Sequence, residues 1–268
     1  AYALKYEKTS TINTGKYDIK MAGNVDKYGG QEYIQWREPV RITGTYGNQF
    51  RPHLSKASPI NTSVVIWFPQ VLRPQVFHPK NIVFKYGIKL RRYELANFMD
   101  APNKVFYNKF YSMANMTRQG APVFVSKPKF FDSKPIWRTK LLGVPAGNDD
   151  DDNTILSIEE TTGLSFVERK RIQLNVFVET DAPFNVYHQN MAADIMYPIL
   201  AIDEQSQLSK KLAENFWLTV NSLNILHMYG IWVFIVLTFV TLAATFVNIA
   251  VGCRCLRRNS TIDYPNEF

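Results

Sequence analysis

MYGIWVFIVLTFVTLAATFVNIAV, running from Met228 to Val251, holds no charged residue in 24 consecutive positions. As an α-helix it would extend roughly 36 Å, against a hydrocarbon core of about 30 Å. A helix of that length buried in a soluble core would be unusual when so uniformly apolar, so the stretch reads as a membrane span. Its flanks orient it. Cys253-Arg-Cys-Leu-Arg-Arg258 follows at once, while the preceding flank carries Glu214 and His227 and no nearby Arg or Lys. The positive-inside bias puts the tail on the cytoplasmic side or its topological equivalent. Tyr229 and Trp232 suit the aromatic belt of the opposite interface. Residues before 227 are then a soluble-type domain on the extracellular or lumenal side.

Upstream of the span the apolar period changes twice. Leu208, Leu212, Phe216, Val220 and Leu223 recur at three or four residues, which predicts an amphipathic juxtamembrane helix over 204–227. Earlier segments read as strands. Ser63-Val-Val-Ile-Trp-Phe68 is a short apolar run stopped by Pro69. Asn81 to Tyr93 reads as two strands meeting near Gly87. In Arg171-Ile-Gln-Leu-Asn-Val-Phe-Val-Glu179, Ile172, Leu174, Val176 and Val178 alternate onto one face. Tyr197 to Ile202 is another short apolar strand. The predicted fold is mainly β: a partial barrel-like α+β ectodomain over 1–203, the amphipathic helix over 204–227, one C-terminal transmembrane helix over 228–251 and a short tail over 252–268.

Composition narrows the function. The 268 residues carry a net charge of +8, are 46% hydrophobic, and include only two cysteines, Cys253 and Cys255. A chain this apolar folds, and two cysteines separated by one residue exclude a disulfide framework. The four histidines stand alone, without zinc spacing, and no nucleophile elbow, phosphate loop or dinucleotide fingerprint occurs. No enzyme, cofactor or metal is expected. Asn148-Asp-Asp-Asp-Asp-Asn153 lacks the alternating ligands of a calcium loop and reads as a solvated, mobile acidic loop. Glu159-Glu160, adjacent in an expected strand, should point apart. Arg91-Arg92 and Arg169-Lys170-Arg171 alternate across strands and need not form a patch. Nucleic acid binding is not expected, because no recognition helix or aromatic RNA-binding signature is present.

Several segments, in order, resemble the class B scavenger receptor and lysosomal integral membrane protein family. They are Lys16-Tyr-Asp-Ile-Lys, Val25-Asp-Lys-Tyr-Gly-Gly with Trp36 and Gly44, Pro102-Asn103, and Gly120-Ala-Pro-Val-Phe-Val-Ser-Lys-Pro-Lys-Phe130. Ile158-Glu-Glu-Thr-Thr-Gly163 is similar to the family's Glu-Pro-x-Thr-Gly turn, with Glu160 where Pro is usual. Lys170-Arg-Ile-Gln-Leu-Asn-Val176 and Tyr197-Pro-Ile-Leu-Ala-Ile-Asp-Glu204 match its later strands. The resemblance runs from about residue 12 to 255.

The resemblance implies the later half of a barrel-like ectodomain that binds or conducts lipid. The start, Ala1-Tyr-Ala-Leu-Lys, shows no initiator Met, signal peptide or first span, so a processed or C-terminal part of a longer product is expected. A second polypeptide or an N-terminal precursor segment should then complete the sheet. The alternative function is a non-catalytic structural or accessory subunit of a larger membrane assembly built on a repurposed family fold. Cys253 and Cys255 sit where family members are acylated, which implies palmitoylation. Asn61-Thr-Ser and Asn115-Met-Thr are glycosylation sequons. The family's ectodomain cysteines are missing here, as are its lysosomal sorting signals in the tail. The sequons favour a secretory-pathway membrane, and the missing cysteines leave the mitochondrial inner membrane as the alternative.

Overall fold

The computed structural model describes residues 9–35, 39–54, 63–96, 107–108, 112–117, 122–179 and 194–259. Trp36, Asn61, Pro102, Asn103 and His188 lie outside the described residues. The chain divides into two compact units, Ala1–Ser209 and Lys210–Phe268.

The first unit is built on strands. β1 (Ser10–Ile12) pairs with β2 (Val25–Tyr28), and β3 (Tyr33–Ile34) with β4 (Val40–Arg41). The remaining strands are β5 (Val64–Phe68), β6 (Arg73–Lys85), β7 (Ile88–Leu95), β8 (Tyr107–Asn108), β9 (Met113–Asn115), β10 (Val123–Ser126), β11 (Ile155–Ile158), β12 (Ser165–Val178) and β13 (Ile195–Gln207). They form one antiparallel sheet in the order β5-β6-β7-β11-β12-β10-β9-β8, with β13 also on β12. The 14-residue β12 thus holds β11 through its first part, β10 through its later part, and β13 along nearly its whole length. Among the described residues the sheet does not close into a barrel.

The expected elements appear, with reasons. β5 keeps the apolar run of Val64 to Phe68 and stops at Pro69, which has no N–H for a ladder. The β6–β7 hairpin turns on Tyr86 and Gly87, both left-handed at φ 52° and 78°. That two-residue turn has a backbone twist matching its strands, and glycine takes the second position without steric cost.

The sheet has two packed faces. On one, Phe50, Leu54, Ile66, Phe77, Leu156 and Ile172 form the largest core, joined by Val125 and partly by Leu174 and Ile202. On the other, Phe124, Phe177 and Met196 meet Phe130 and Trp137, supplied by the connection between β10 and β11. Trp137 stands edge-on to Phe177 at 6.1 Å. That connection holds two short helices, α1 (Pro135–Thr139) and α2 (Asp149–Asp152).

The alternation of β12 is present: Ile172 and Leu174 of its apolar face join the larger core. Its other face is buried too, at Arg171, Gln173, Asn175 and Phe177, because the β10–β11 connection lies over it. Two expectations need correction. The acidic run is not a free loop but the helical turn α2, with Asp152 only 2% exposed. Finally, residues 204–207 extend β13, and helix begins only at Lys210.

The second unit is α3 (Lys210–Asn259), a continuous helix that includes the apolar stretch Met228–Val251. It is the one described helix long and apolar enough to cross a membrane. The threonines of that stretch are satisfied internally. Thr238, Thr241 and Thr245 donate to the carbonyls of Phe234, Thr238 and Leu242 at 2.7, 2.9 and 2.6 Å. Such back-bonding pairs the threonine protons where water is absent.

Candidate functional site

The larger core of the first unit has an uncovered margin. Directly opposed residues of paired strands share a face. Leu174 opposes Leu200, and Val176 opposes Tyr197, so the apolar face continues from the core onto β13. There it is uncovered: Tyr197 and Leu200 are 57% and 50% exposed. A bulge between Leu174 and Asn175 leaves Ile199 without an opposite residue, and it too is exposed. Beyond β13 no further strand pairs among the described residues, so its outer edge presents unsatisfied backbone groups. A long, apolar edge of this kind invites pairing with another strand. Asp203, Glu204 and Pro198 interrupt it only in part.

The other face of β12 is a polar layer. Asn175 donates to Ser126 Oγ at 3.0 Å and accepts from Gln173 at 2.7 Å, with all three side chains buried. Arg171, 1% exposed, donates to the Asp150 carbonyl at 2.6 Å and pairs with Asp203 at 3.4 Å. The basic clusters resolve into pairs as alternation suggested. Arg91 meets Glu160 at 2.5 Å, Arg92 meets Glu94 at 3.0 Å, and Arg169 meets Asp203 at 2.9 Å. Glu159 and Glu160 do part ways, though in a turn and not a strand. Glu159 caps the turn by accepting from the Thr161 and Thr162 amides.

Two elements of the acidic turn anchor it. Asp152 accepts from Lys129 Nζ at 3.0 Å and from the Asn148 amide at 2.9 Å. Lys80 bridges Glu94, at 2.7 Å, and Asp149. The Lys80 hydrogen bond holds Asp149 below the usual carboxylate range, and Asp149 and Glu94 in turn raise Lys80. These groups, with His78, Lys127 and Asp132, line a cavity of about 250 Å³. Its charges are already matched. No cluster of His, Cys, Asp or Glu suited to a metal occurs among the described residues. Burial has its largest effects at Arg73, pulled down to about 9, and Tyr93, pushed up to about 12. Neither was singled out in the sequence, where nothing marks them as interior.

The residues expected to be modified are spread apart. Asn115 ends β9, half-buried, and its side-chain oxygen accepts from the Thr117 amide at 2.9 Å and from the Thr117 hydroxyl. Cys253 is exposed on α3, and Cys255 lies on the same helix two residues on. Asn61 falls outside the described residues.

An open antiparallel sheet, a Glu-Glu-Thr-Thr-Gly turn within it and a C-terminal span agree with a family match over residues 2–249. The chain belongs to the CD36 family. Among CD36 relatives, it is 26% identical to lysosome membrane protein 2-C of Dictyostelium discoideum over 65% of this chain and 23% of that protein. It is 28% identical to sensory neuron membrane protein 1 of Helicoverpa assulta over 75% of this chain and 39% of that protein. Against scavenger receptor class B member 1 of Rattus norvegicus the identity is 22%, over 77% and 42%. The chain spans less than half the length of these relatives. Within the CD36 family it is a membrane protein with one described candidate span.

Proposed function

We propose that this chain supplies the membrane-attached part of an ectodomain that binds or conducts lipid, and that it does so without catalysis. One observation carries the reading: the core face of the sheet runs uncovered onto β13, leaving Tyr197 and Leu200 about half exposed. Burying such surface against acyl or sterol carbon contributes about 25 cal/mol per Å². Family membership and the name of the scavenger receptor relative support the same class of cargo. The ectodomain is read as extracellular or lumenal and the tail as cytoplasmic, with Asn115 and Asn61 available for glycans and Cys253 and Cys255 for acyl chains. The mitochondrial inner membrane is the other location weighed. The domain limits proposed are 1–207 for the ectodomain, then a link, then helix from Lys210.

A strand from a second polypeptide, or from an N-terminal part of the same precursor, completes the sheet along β13. An exposed edge of this length offers a ready row of backbone groups for a further strand to pair with. The open edge also favours a second reading, a structural or accessory subunit held in a larger assembly. The test is to purify the full chain from its native membrane in mild detergent. Bound lipid is then identified by mass spectrometry, and a fluorescent sterol and a fluorescent acyl probe are titrated. Saturable binding with co-purified lipid is expected. A lipid-free chain that binds neither probe but retains protein partners would replace the lipid reading with the assembly reading.

A further inference from the structure

Many cations of the sheet and the connection covering it are paired with acids. Besides the arginine pairs above, Lys127 meets Asp132 at 2.5 Å, Lys129 meets Asp152 at 3.0 Å and Lys170 meets Glu168 at 2.9 Å. Exposed Lys20 and half-buried Arg51 are not among the paired ones. Neither has a carboxylate within ion-pair distance among the described residues, yet both line one cavity of about 240 Å³. No Asp or Glu lines that cavity. Two cations lining one cavity with no carboxylate beside them give it a positive potential that favours an anion.

The rest of the lining defines what would fit. Thr43, Thr45, Ser63 and Asn24 add hydroxyl and amide groups. Thr45 Oγ1 accepts from the Gly47 amide at 3.1 Å, which leaves its own proton available to donate. The floor is apolar: Phe50, Leu54 and Val64, all buried members of the main core. Gly44 forms part of the wall, and a Cβ there would lie 2.7 Å from the Val65 carbonyl oxygen, so the wall is set by backbone contact.

We propose that this pocket binds the phosphate headgroup of an amphiphile, with the carbons next to the phosphate lying on Phe50, Leu54 and Val64. A guanidinium fork, an ammonium and several hydroxyls offer more donors than the two oxygens of a carboxylate can take up, and they suit the oxygens of a phosphate. At about 240 Å³ the cavity lies below the roughly 300–1,000 Å³ of a site that encloses a whole drug-sized ligand. It holds the headgroup and leaves the chains outside. The lipid half of this assignment rests on the function proposed above, and the phosphate half rests on the pocket alone.

The test uses the full chain in non-ionic detergent and isothermal titration with three probes: dihexanoyl phosphatidic acid, inorganic phosphate and dihexanoylglycerol. The phospholipid should bind at least tenfold more tightly than either of the others. Lys20→Gln with Arg51→Gln should weaken it at least tenfold without moving the thermal transition, since neither side chain forms a hydrogen bond or ion pair among the described residues. Lys20→Arg with Arg51→Lys should retain most of the binding. Unchanged affinity in the glutamine variant would overturn the site. Inorganic phosphate binding as tightly as the phospholipid would overturn the amphiphile. A fluorescent sterol titrated into the same samples reads the general lipid function separately. It should bind the glutamine variant and the unaltered chain alike, and its failure on both would count against the function while the phospholipid titration still decides the pocket.

Discussion

Replacing Gly163 and, separately, Gly87 with alanine isolates the energetics of one backbone contact. Both glycines are left-handed, at φ 77° and 78°, so both alanines incur about 1–2 kcal/mol of steric cost and the same gain from a stiffer unfolded chain. Those contributions cancel between them. Around Gly87 nothing lies within 4 Å of a new Cβ, whereas at Gly163 it would sit 2.3 Å from the Phe50 carbonyl oxygen and 2.6 Å from that of Arg51. Ordinary contact begins at 3.4 Å, so the segment bearing Phe50 must retreat by about 1 Å. It is tied there by backbone bonds from the Phe50 amide to Gly163 and the His53 amide to Thr161, at 2.8 and 2.9 Å. Weakening one or two such bonds costs about 1–3 kcal/mol each. Gly163→Ala should therefore cost about 2–4 kcal/mol more than Gly87→Ala. For a domain of this size that is a Tm lower by roughly 4–16 °C. The assay is thermal unfolding of the full chain in detergent, followed by tryptophan fluorescence, since Trp67 and Trp137 are buried. Equal transitions for the two variants would refute the close-approach argument.

Tyr93, pushed up to about 12 mainly by burial, should ionise last among the described tyrosines, and its folded value exceeds the unfolded one. Its contribution to stability is then complete below about pH 10 and lost as pH climbs through about 12. Ultraviolet titration of Tyr93→Phe should lack the latest phenol, and an unchanged curve would be incompatible with this. Asp152→Ala should destabilise by about 2–3 kcal/mol in chemical denaturation because it strands Lys129 and the Asn148 amide. The exposed Asp151→Ala should stay within about 0.5 kcal/mol, and similar losses from both would mean α2 is not anchored by Asp152. In sealed vesicles treated with hydroxylamine, an impermeant maleimide should reach Cys253 and Cys255 only from the tail side. Labelling from the ectodomain side would reverse the orientation. Asn115→Gln, expressed in a secretory pathway, should migrate faster by one glycan, and identical migration would remove Asn115 as an acceptor.

Much of this architecture was legible wherever one physical requirement dominates a stretch of chain. Met228–Val251 has to be a helix out of water, and the Tyr86-Gly87 turn has to reverse two apolar strands. What stayed hidden depended on distant neighbours. Arg171, Gln173 and Asn175 look like a solvent face, and they are interior because a connection beginning some fifty residues earlier folds over them. The four aspartates look solvated because their partners, Lys80, Arg92 and Lys129, come from other strands or turns. The Lys20–Arg51 pocket joins residues 31 positions apart, and no local pattern announces it. The start of α3 was misplaced because Glu204 to Gln207 fit a helical period as readily as an exposed edge strand.

Among the described strands, β12 alone joins β5-β6-β7-β11 on one side to β8-β9-β10 on the other. During synthesis both groups emerge before it, and neither can be fixed against the other until residue 178 has left the ribosome. Their assembly is consequently a late, non-local event of high contact order, the kind that folds slowly and exposes strand edges while it waits. The nascent domain therefore has its greatest need of chaperone protection in the interval before β12 appears, and β13 follows only about 16 residues behind it, shortly ahead of the helix that fixes the chain in the bilayer.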